Sequence, residues 1–310
     1  MLAMLKGLTT RISASFIYFA SMNANDIILK YRNSLADLYE KEELEQIIFL
    51  VLEHVLGFSK TDLVTKKEEA LSENEKHKLE KLLSILETGQ PVQYVLGEAW
   101  FYGMKLKVNE AVLIPRQETE ELVEWILKDG RAEGMKSERG LQILDVCTGS
   151  GCIAITLKKN LNDSTMFALD ISEEALEVAK KNSIQNDLNI SFIQSDILQT
   201  PNSQLPTGLD IIVSNPPYVL ENEQEQMKKN VLDFEPHLAL FVSEDDPLIF
   251  YNAIANFAKL NLKPGGKLYF EINEAKGREV VELLGSKGFS EVTLKKDLHD
   301  KDRMVKATLL

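Results

Sequence analysis

The chain has 310 residues, of which 44% are hydrophobic and 27% are charged. This composition excludes a wholly disordered protein, and the length suits one large domain with a smaller one. The 35 lysines and arginines against 48 aspartates and glutamates leave a net charge of −13, which argues against a protein that coats nucleic acid through its phosphates. Two cysteines, and four histidines without ligand spacing, predict a reduced, cytoplasmic protein with no metal site.

Residues 1–22 form a leader that carries basic residues but no acidic one. Its apolar stretch at 12–20 is interrupted by serines and is shorter than the roughly 20 residues that span a bilayer. A weak signal or targeting segment is one interpretation. We favour a second one, in which translation starts at Met22 and the leader is a start-site artefact.

Residues 23–90 are predicted to form a small helical domain. Apolar residues recur with helical spacing over 44–55 and again over 79–86. Ser72 and Glu75 have the spacing of a capping box at the start of the second of these helices. The pattern favours a scaffold or lid that carries no chemistry of its own.

Residues 91–115 are predicted to be a hairpin that links this domain to a larger one at 116–310. Strand-like segments occur within 93–113, and 119–128 has a helical pattern. The Gly-, Lys- and Glu-rich segment 129–140 is predicted to be an exposed loop.

From Leu141 onward the chain alternates short apolar strands with amphipathic helices. The predicted strands are 141–146, 165–169, 190–194, 209–213 and 267–272, and the predicted helices are 152–159, 172–186 and 247–261. Such alternation predicts an α/β fold with a parallel sheet that is covered on both faces. The last two strands, 291–296 and 304–309, have no helix between them, which predicts an antiparallel hairpin at the sheet edge.

The first of these strands leads into the glycine-rich loop Asp145-Val-Cys-Thr-Gly-Ser-Gly151. Its glycines permit a tight turn and a close approach of a ligand to the carboxyl end of the strand. The candidate cofactor-binding residues here are Asp145, Cys147, Thr148, Gly149, Ser150 and Gly151. Because Ala154 completes a permitted variant of the dinucleotide fingerprint, the loop alone predicts only a nucleotide-like cofactor.

Acidic residues follow the next two strands. Asp170 ends the second strand, where a carboxylate can accept both hydroxyls of a ribose. It can also be an acid that favours the start of the next helix. Asp196 and Ile197 follow the third strand, where an acid can face an adenine amino group. We predict that all three contact the cofactor.

The sequence Ser214-Asn-Pro-Pro-Tyr218 comes directly after the strand 209–213. Two prolines stiffen the turn and remove two backbone donors. Asn215 can then offer its side-chain oxygen, and Pro216 its carbonyl, to the two hydrogens of a planar NH₂ group. Tyr218 offers an aromatic face for stacking. The alternative is an ordinary Pro-Pro turn, which this position at a strand's carboxyl end makes less favoured.

Together these motifs resemble the class I S-adenosylmethionine-dependent methyltransferases that act on planar nitrogen. Asn-Pro-Pro-Tyr is shared by DNA adenine N6-methyltransferases and by HemK-type release factor glutamine N5-methyltransferases. Further segments are similar to the HemK type, and the resemblance covers about 23–310. These segments are the helical domain, Gln93-Tyr94, Gly97-Glu98, Leu113–Arg116, Glu118–Glu120 and Phe234–Pro236.

The resemblance implies a Rossmann-like class I methyltransferase sheet and S-adenosylmethionine as the cofactor. It also implies methyl transfer to N5 of the glutamine in the Gly-Gly-Gln motif of bacterial class I peptide chain release factors. Asn215, Pro216 and Tyr218 would be catalytic, and these three with Pro217 would bind the substrate. Asn215 would also contact the cofactor. No direct contact with nucleic acid or membrane is expected.

Three positions depart from the family pattern. Cys147 replaces a usual glycine, Gln117 a usual proline, and Ile197 an aromatic residue of some relatives. A DNA adenine methyltransferase stays an alternative, although the acidic charge and the lack of a recognisable target-recognition domain argue against it. A ribosomal-protein glutamine methyltransferase and a non-catalytic cofactor-binding partner are the others.

Overall fold

The computed structural model describes residues 22–132, 140–199 and 205–310. Contacts divide the chain into two compact units, one that ends at Glu87 and one from Thr88 to Leu310. The predicted leader, apart from Met22, and residues 133–139 of the predicted loop lie outside the described residues. The domain limits drawn from the sequence stay a prediction.

The first unit is a helical bundle, as its apolar spacing predicts. Its helices are α1 (Ala24–Leu35), α2 (Lys41–Leu56), α3 (Asp62–Thr65) and α4 (Glu73–Leu86). The apolar faces of α1, α2 and α4 pack together. The buried Tyr31 hydroxyl donates to the Leu79 carbonyl at 2.6 Å, which joins α1 to α4. Ser72 and Glu75 form the predicted capping box.

The second unit begins with elements that the sequence predicted only in part. They are α5 (Val92–Leu96), the hairpin of β1 (Glu98–Phe101) and β2 (Met104–Lys107), and α6 (Gln117–Ala132). The hairpin is confirmed, but α5 lies where strand character was expected. It is a single turn that ends at Gly97, whose φ of +70° suits a helix C-terminus.

Helix α6 is longer than predicted, because residues 129–132 are helical rather than part of a loop. Asp129 in this last turn accepts a hydrogen bond from the Tyr269 hydroxyl at 2.8 Å. It also pairs with the Lys306 ammonium at 2.9 Å. These contacts fasten the end of α6 to the sheet, a constraint that helix propensity does not reveal.

The remaining elements build an α/β sandwich. They are β3 (Gln142–Val146), α7 (Cys152–Asn160), β4 (Thr165–Asp170), α8 (Glu173–Gln185), β5 (Ser191–Gln194), β6 (Leu209–Ser214), β7 (Val219–Leu220), α9 (Lys229–Phe234), α10 (His237–Leu240), β8 (Phe241–Val242), α11 (Ile249–Asn261), β9 (Leu262–Glu271), α12 (Gly277–Ser286), β10 (Phe289–Lys296) and β11 (Asp302–Leu309). The predicted strands and helices are confirmed, whereas α12 and the short elements between β6 and α11 were not predicted.

Within the described residues the main sheet has seven strands in the order β10-β11-β9-β6-β3-β4-β5. The five strands from β9 to β5 run parallel, and β11 pairs antiparallel with both β9 and β10. The predicted hairpin at the sheet edge is therefore confirmed. Strand β9 starts five residues before the predicted strand 267–272, because Leu262 already pairs with Leu209 of β6.

Successive residues of the central strands face opposite sides of the sheet. Ile143 packs in a core that includes α6 and α7, whereas Leu144 packs in one that includes α11 and α12. Both faces are thus covered. Strand β3 lies between β4 and β6, so the chain turns to opposite sides after it, and a crevice opens at the carboxyl ends there. No helix among the described residues is long and apolar enough to cross a membrane.

Candidate active site

A cavity of about 370 Å³ lies at the carboxyl ends of the parallel strands. Its wall comes from the loops after β3, β4, β5 and β6, from residues 111–119 around the start of α6, and from residues 236–239. This volume is within the range of about 300–1,000 Å³ that is typical of small-molecule sites. The candidate residues that line it are Cys147, Thr148, Gly149, Ser150, Asp170, Asp196, Ile197, Asn215 and Pro217.

The glycine-rich loop depends on positive φ angles. Gly151 has a φ of +80°, and a Cβ there would lie 3.1 Å from both Ala179 and Ile155. The missing side chain therefore lets α7 approach α8. Cys147 has a φ of +60°, which costs a non-glycine residue about 1–2 kcal/mol and explains why glycine is usual here. Burial raises the pKa of its thiol, so Cys147 is not a nucleophile at neutral pH.

Asp145 lies beneath the loop and is not part of the cavity wall. Its Oδ2 accepts the Thr148 hydroxyl at 2.6 Å and the Ala154 amide at 3.2 Å. Its Oδ1 is buried without a hydrogen-bond partner, and burial raises the pKa of this carboxyl to about 7. The structure thus shows Asp145 shaping the loop, and its predicted closeness to the methionine end of the cofactor stays a prediction.

We expect Asp145→Asn to remove a pH dependence of stability. A carboxyl whose pKa rises from 3.8 to about 7 on folding stabilises the fold below pH 3.8, and this contribution is lost as the pH rises through 7. Asparagine stays neutral, so its free energy of unfolding relative to aspartate should rise by about 2–3 kcal/mol between pH 5 and pH 8. Urea unfolding of both proteins at each pH measures this. Equal pH slopes would contradict the burial effect.

Asp170 lines the cavity at the end of β4. Its Oδ2 accepts the Gly149 amide at 2.8 Å, and its Oδ1 accepts the Ser172 amide at 3.0 Å. Burial raises the pKa of this carboxyl, and the backbone hydrogen bonds oppose that rise. Asp170 therefore ties the glycine-rich loop to β4 while it faces the cavity.

Asp196 and Ile197 lie beside Asp170, on the loop after β5. Asp196 accepts the Leu198 amide at 2.9 Å, which orients its carboxylate, and Ile197 is buried. The third strand thus brings a carboxylate and an apolar side chain to the same wall, as the sequence suggested.

The wall fits S-adenosylmethionine. Two carboxylates at the ends of adjacent strands suit the polar groups of a nucleoside. The Ser150 hydroxyl is buried at the cavity without a partner in the protein, so it is available to a ligand. Ile197 and Phe250 supply apolar surface for a flat base. The acidic side chains also complement the positive charge of a sulfonium.

Asn215 connects the cavity to a chain of buried hydrogen bonds. Its Nδ2 donates to the Thr119 hydroxyl oxygen at 3.2 Å, and the Thr119 hydroxyl donates to Glu271 Oε2 at 2.6 Å. The Tyr218 hydroxyl donates to the other oxygen of Glu271 at 3.0 Å. Pro216 and Tyr218 are not among the wall residues. The stacking role of Tyr218 and the acceptor role of Pro216 therefore stay predictions.

Sequence reasoning did not assign Thr119 and Glu271 to the site. Thr119 was interpreted as a cap at the start of α6, but its side chain points to Glu271 instead. The signal for Glu271 is a carboxylate that ends the apolar run of β9, just as Asp170 ends β4. Within the described part of the chain, no cluster of three or more metal-ligating side chains occurs.

A second buried carboxylate fastens the cavity mouth. Glu235 accepts the Ile114 amide at 3.2 Å and pairs with the Arg116 guanidinium at 2.5 Å. Its side chain is 1% exposed. The pair joins the segment before α6 to the segment after α9, two regions that the sequence linked to the family only by resemblance.

Two family profiles match the chain. One is described as "Methyltransferase small domain" and matches residues 132–234. The other is described as "PrmC N-terminal domain" and matches residues 26–97.

Curated relatives match over almost the whole chain. A "Release factor glutamine methyltransferase" of Flavobacterium psychrophilum is 46% identical over 284 residues, which is 90% of this chain and 98% of the relative. One of the same name from Bacteroides thetaiotaomicron is 43% identical over 91% of this chain and 99% of the relative.

A solved structure described as "delta-N METTL16 MTase domain" shares the fold. It has a TM-score of 0.50 and 20% identity over 67% of this chain and 89% of that one. The cavity at the sheet switch point, its two acidic strand ends and the relatives' identities point the same way. The chain is an S-adenosylmethionine-dependent methyltransferase and belongs to the release factor glutamine methyltransferase family.

Proposed function

We propose that this enzyme methylates N5 of the glutamine in the Gly-Gly-Gln motif of class I peptide chain release factors. The observation that carries the proposal is the placement of Asn215 on the wall of the cofactor cavity. Its Nδ2 is engaged by Thr119, which leaves Oδ1 to accept a hydrogen bond from a substrate amide. Family membership supports a glutamine as the acceptor, since the relatives carry that name.

The proposed chemistry makes a poor nucleophile competent by orientation. The lone pair of a glutamine amide nitrogen is delocalised, and acceptors at Asn215 Oδ1 and the Pro216 carbonyl would hold both of its hydrogens. The nitrogen then faces the cofactor in line with the bond to be broken. Such positioning of two reactants is worth about 7–11 kcal/mol of the barrier.

The bound cofactor supplies an electrophilic methyl group on a positively charged sulfur. The nitrogen lone pair forms the new N–C bond as the C–S bond breaks, and the sulfur keeps that electron pair as a neutral thioether. The alkylated nitrogen loses one proton to water, which restores the neutral amide. Asp170 and Asp196 bind and orient the cofactor in this proposal, together with the glycine-rich loop.

The proposed partner is a protein and not a nucleic acid. The net charge of −13 disfavours a long contact with phosphates. A DNA adenine methyltransferase would have to flip its target base into the same cavity. The cytoplasm, where translation terminates, is the compartment that the proposal requires.

Methyl-labelled S-adenosylmethionine tests the proposal with three acceptors. These are a bacterial class I release factor, its variant with alanine for the glutamine of Gly-Gly-Gln, and duplex DNA. We expect label only in the intact release factor, because only there does the nitrogen that Asn215 orients exist. Mass spectrometry of the tryptic peptide then locates the added methyl group.

The other outcomes are equally informative. Label in the alanine variant would move the target to another residue, and label in DNA would contradict the release-factor assignment while keeping the Asn215 chemistry. A ribosomal protein as a fourth acceptor checks the remaining glutamine-specific alternative.

A further inference from the structure

We propose that Thr119 and Glu271 are positioning residues that fix the direction of the Asn215 side-chain amide. The inference rests on the proposed function, because that function needs Asn215 to present its oxygen to the substrate. Neither residue touches the transferred group in this account. Both act through Asn215.

The three side chains come from three elements and meet behind the cavity wall. Thr119 lies in the first turn of α6, Glu271 is the last residue of β9, and Asn215 follows β6. Thr119 and Glu271 are 2% and 1% exposed. Water is therefore excluded from the hydrogen bonds between them, and each donor and acceptor must be satisfied within the protein.

The direction of the chain of hydrogen bonds starts at Glu271. Its carboxylate has no proton to give when ionised, so it accepts from the hydroxyls of Thr119 and Tyr218. Burial raises the pKa of Glu271, whereas the bonds from those hydroxyls and the charge of Arg303 lower it. The Arg303 guanidinium also donates to the carbonyl of the next residue, Ile272, at 3.3 Å.

The threonine hydroxyl passes this direction on. It carries one proton, which is given to Glu271, so it can only accept from Asn215. Asn215 must then turn its NH₂ group toward Thr119 and its oxygen away from it. A rotation of the amide by 180° would set two lone pairs against each other and would point an NH₂ group at the NH₂ of the substrate.

Isosteric variants separate direction from packing. Thr119→Val keeps the shape and removes the hydroxyl, and Thr119→Ser keeps the hydroxyl. We expect Thr119→Val to lower kcat about 10- to 100-fold, with an unchanged Kd for S-adenosylmethionine, and Thr119→Ser to retain most of kcat. Glu271→Gln should be intermediate, because a glutamine amide can either donate to Thr119 or accept from it.

Thr156→Val is the matched control for this series. Thr156 is fully buried in α7, and its hydroxyl donates to the Cys152 carbonyl at 2.7 Å. The change is chemically the same and lies outside the network. If it lowered kcat as much as Thr119→Val, a general loss of stability would explain both, and the inference would be wrong.

A spectroscopic readout needs no acceptor. The side-chain NH₂ signal of Asn215 in a ¹⁵N spectrum is identified by its loss in Asn215→Asp. We expect one of its protons to be protected from exchange in the wild type and in Thr119→Ser, and exposed in Thr119→Val. An identical signal in wild type and Thr119→Val would overturn the inference, as would a wild-type kcat in Thr119→Val.

The two levels of the argument fail in different ways. A wild-type enzyme that leaves the release factor unlabelled would contradict the proposed function alone. The Asn215 signal still decides in that case whether Thr119 fixes the amide, because it is measured without substrate.

Discussion

Asn215→Ala is expected to lower kcat for release-factor methylation by about 100- to 1,000-fold, the range found when one preorganised polar group of an active site is removed. The Kd for S-adenosylmethionine should stay nearly unchanged. The reason is geometric, because Asn215 lies at the end of β6, whereas the carboxylates proposed for the cofactor lie at the ends of β4 and β5. Single-turnover labelling gives the rate, and calorimetric titration gives the Kd.

Asn261→Ala is a suitable control for that variant. Asn261 is partly buried at the end of α11, where its Nδ2 donates to the Phe257 carbonyl at 2.8 Å. Its loss removes a comparable hydrogen bond away from the cavity. Unchanged turnover in Asn215→Ala would remove Asn215 from the mechanism, and a matching loss of cofactor affinity would show that it acts on binding.

The fold could be predicted well from the sequence because its signals are local. Apolar runs such as 141–146 and 209–213 alternate with amphipathic helices, and a parallel sheet covered on both faces satisfies that pattern. The rule that ligands bind at the carboxyl ends of such strands then brings the residues after each strand together. This is why the loop from Cys147 to Ser150 and the acid Asp170 line one cavity.

The part of the site that escaped prediction depends on contacts between distant residues. Thr119 and Glu271 are 152 positions apart and meet only because α6 begins at the end of β9. Arg116 and Glu235 are similarly 119 positions apart. Each residue alone has an ordinary explanation, an exposed acid or a helix-start residue, and only the tertiary packing makes it a partner.

The position of Tyr218 shows the same limit. The sequence suggested an aromatic face for the substrate, which needs the ring on the wall of the cavity. In the structure its hydroxyl donates to Glu271, and its carbonyl accepts from Asn273 at 3.1 Å. Those two contacts hold the residue behind the wall, and neither could be read from the spacing of Asn-Pro-Pro-Tyr.

Asp170→Ala is expected to raise the Kd for S-adenosylmethionine by about 10- to 150-fold, which corresponds to the roughly 1.5–3 kcal/mol of hydrogen bonds to a charged group. Two losses combine in this variant. The cavity loses the carboxylate proposed to accept the ribose hydroxyls, and the Gly149 amide loses its acceptor at 2.8 Å. At saturating cofactor kcat should recover most of its wild-type value, because Asn215 and its hydrogen bonds are untouched.

Two further variants separate those losses. Asp170→Asn keeps one acceptor oxygen, so it can hold the Gly149 amide but cannot serve two ribose hydroxyls as a carboxylate does. Its Kd should therefore lie between those of the wild type and Asp170→Ala. Asp163→Ala changes an exposed aspartate of the same unit and should leave the Kd unaltered. If Asp170→Ala bound the cofactor as tightly as Asp163→Ala, Asp170 would only favour the start of α8, as the simpler interpretation of its sequence position holds.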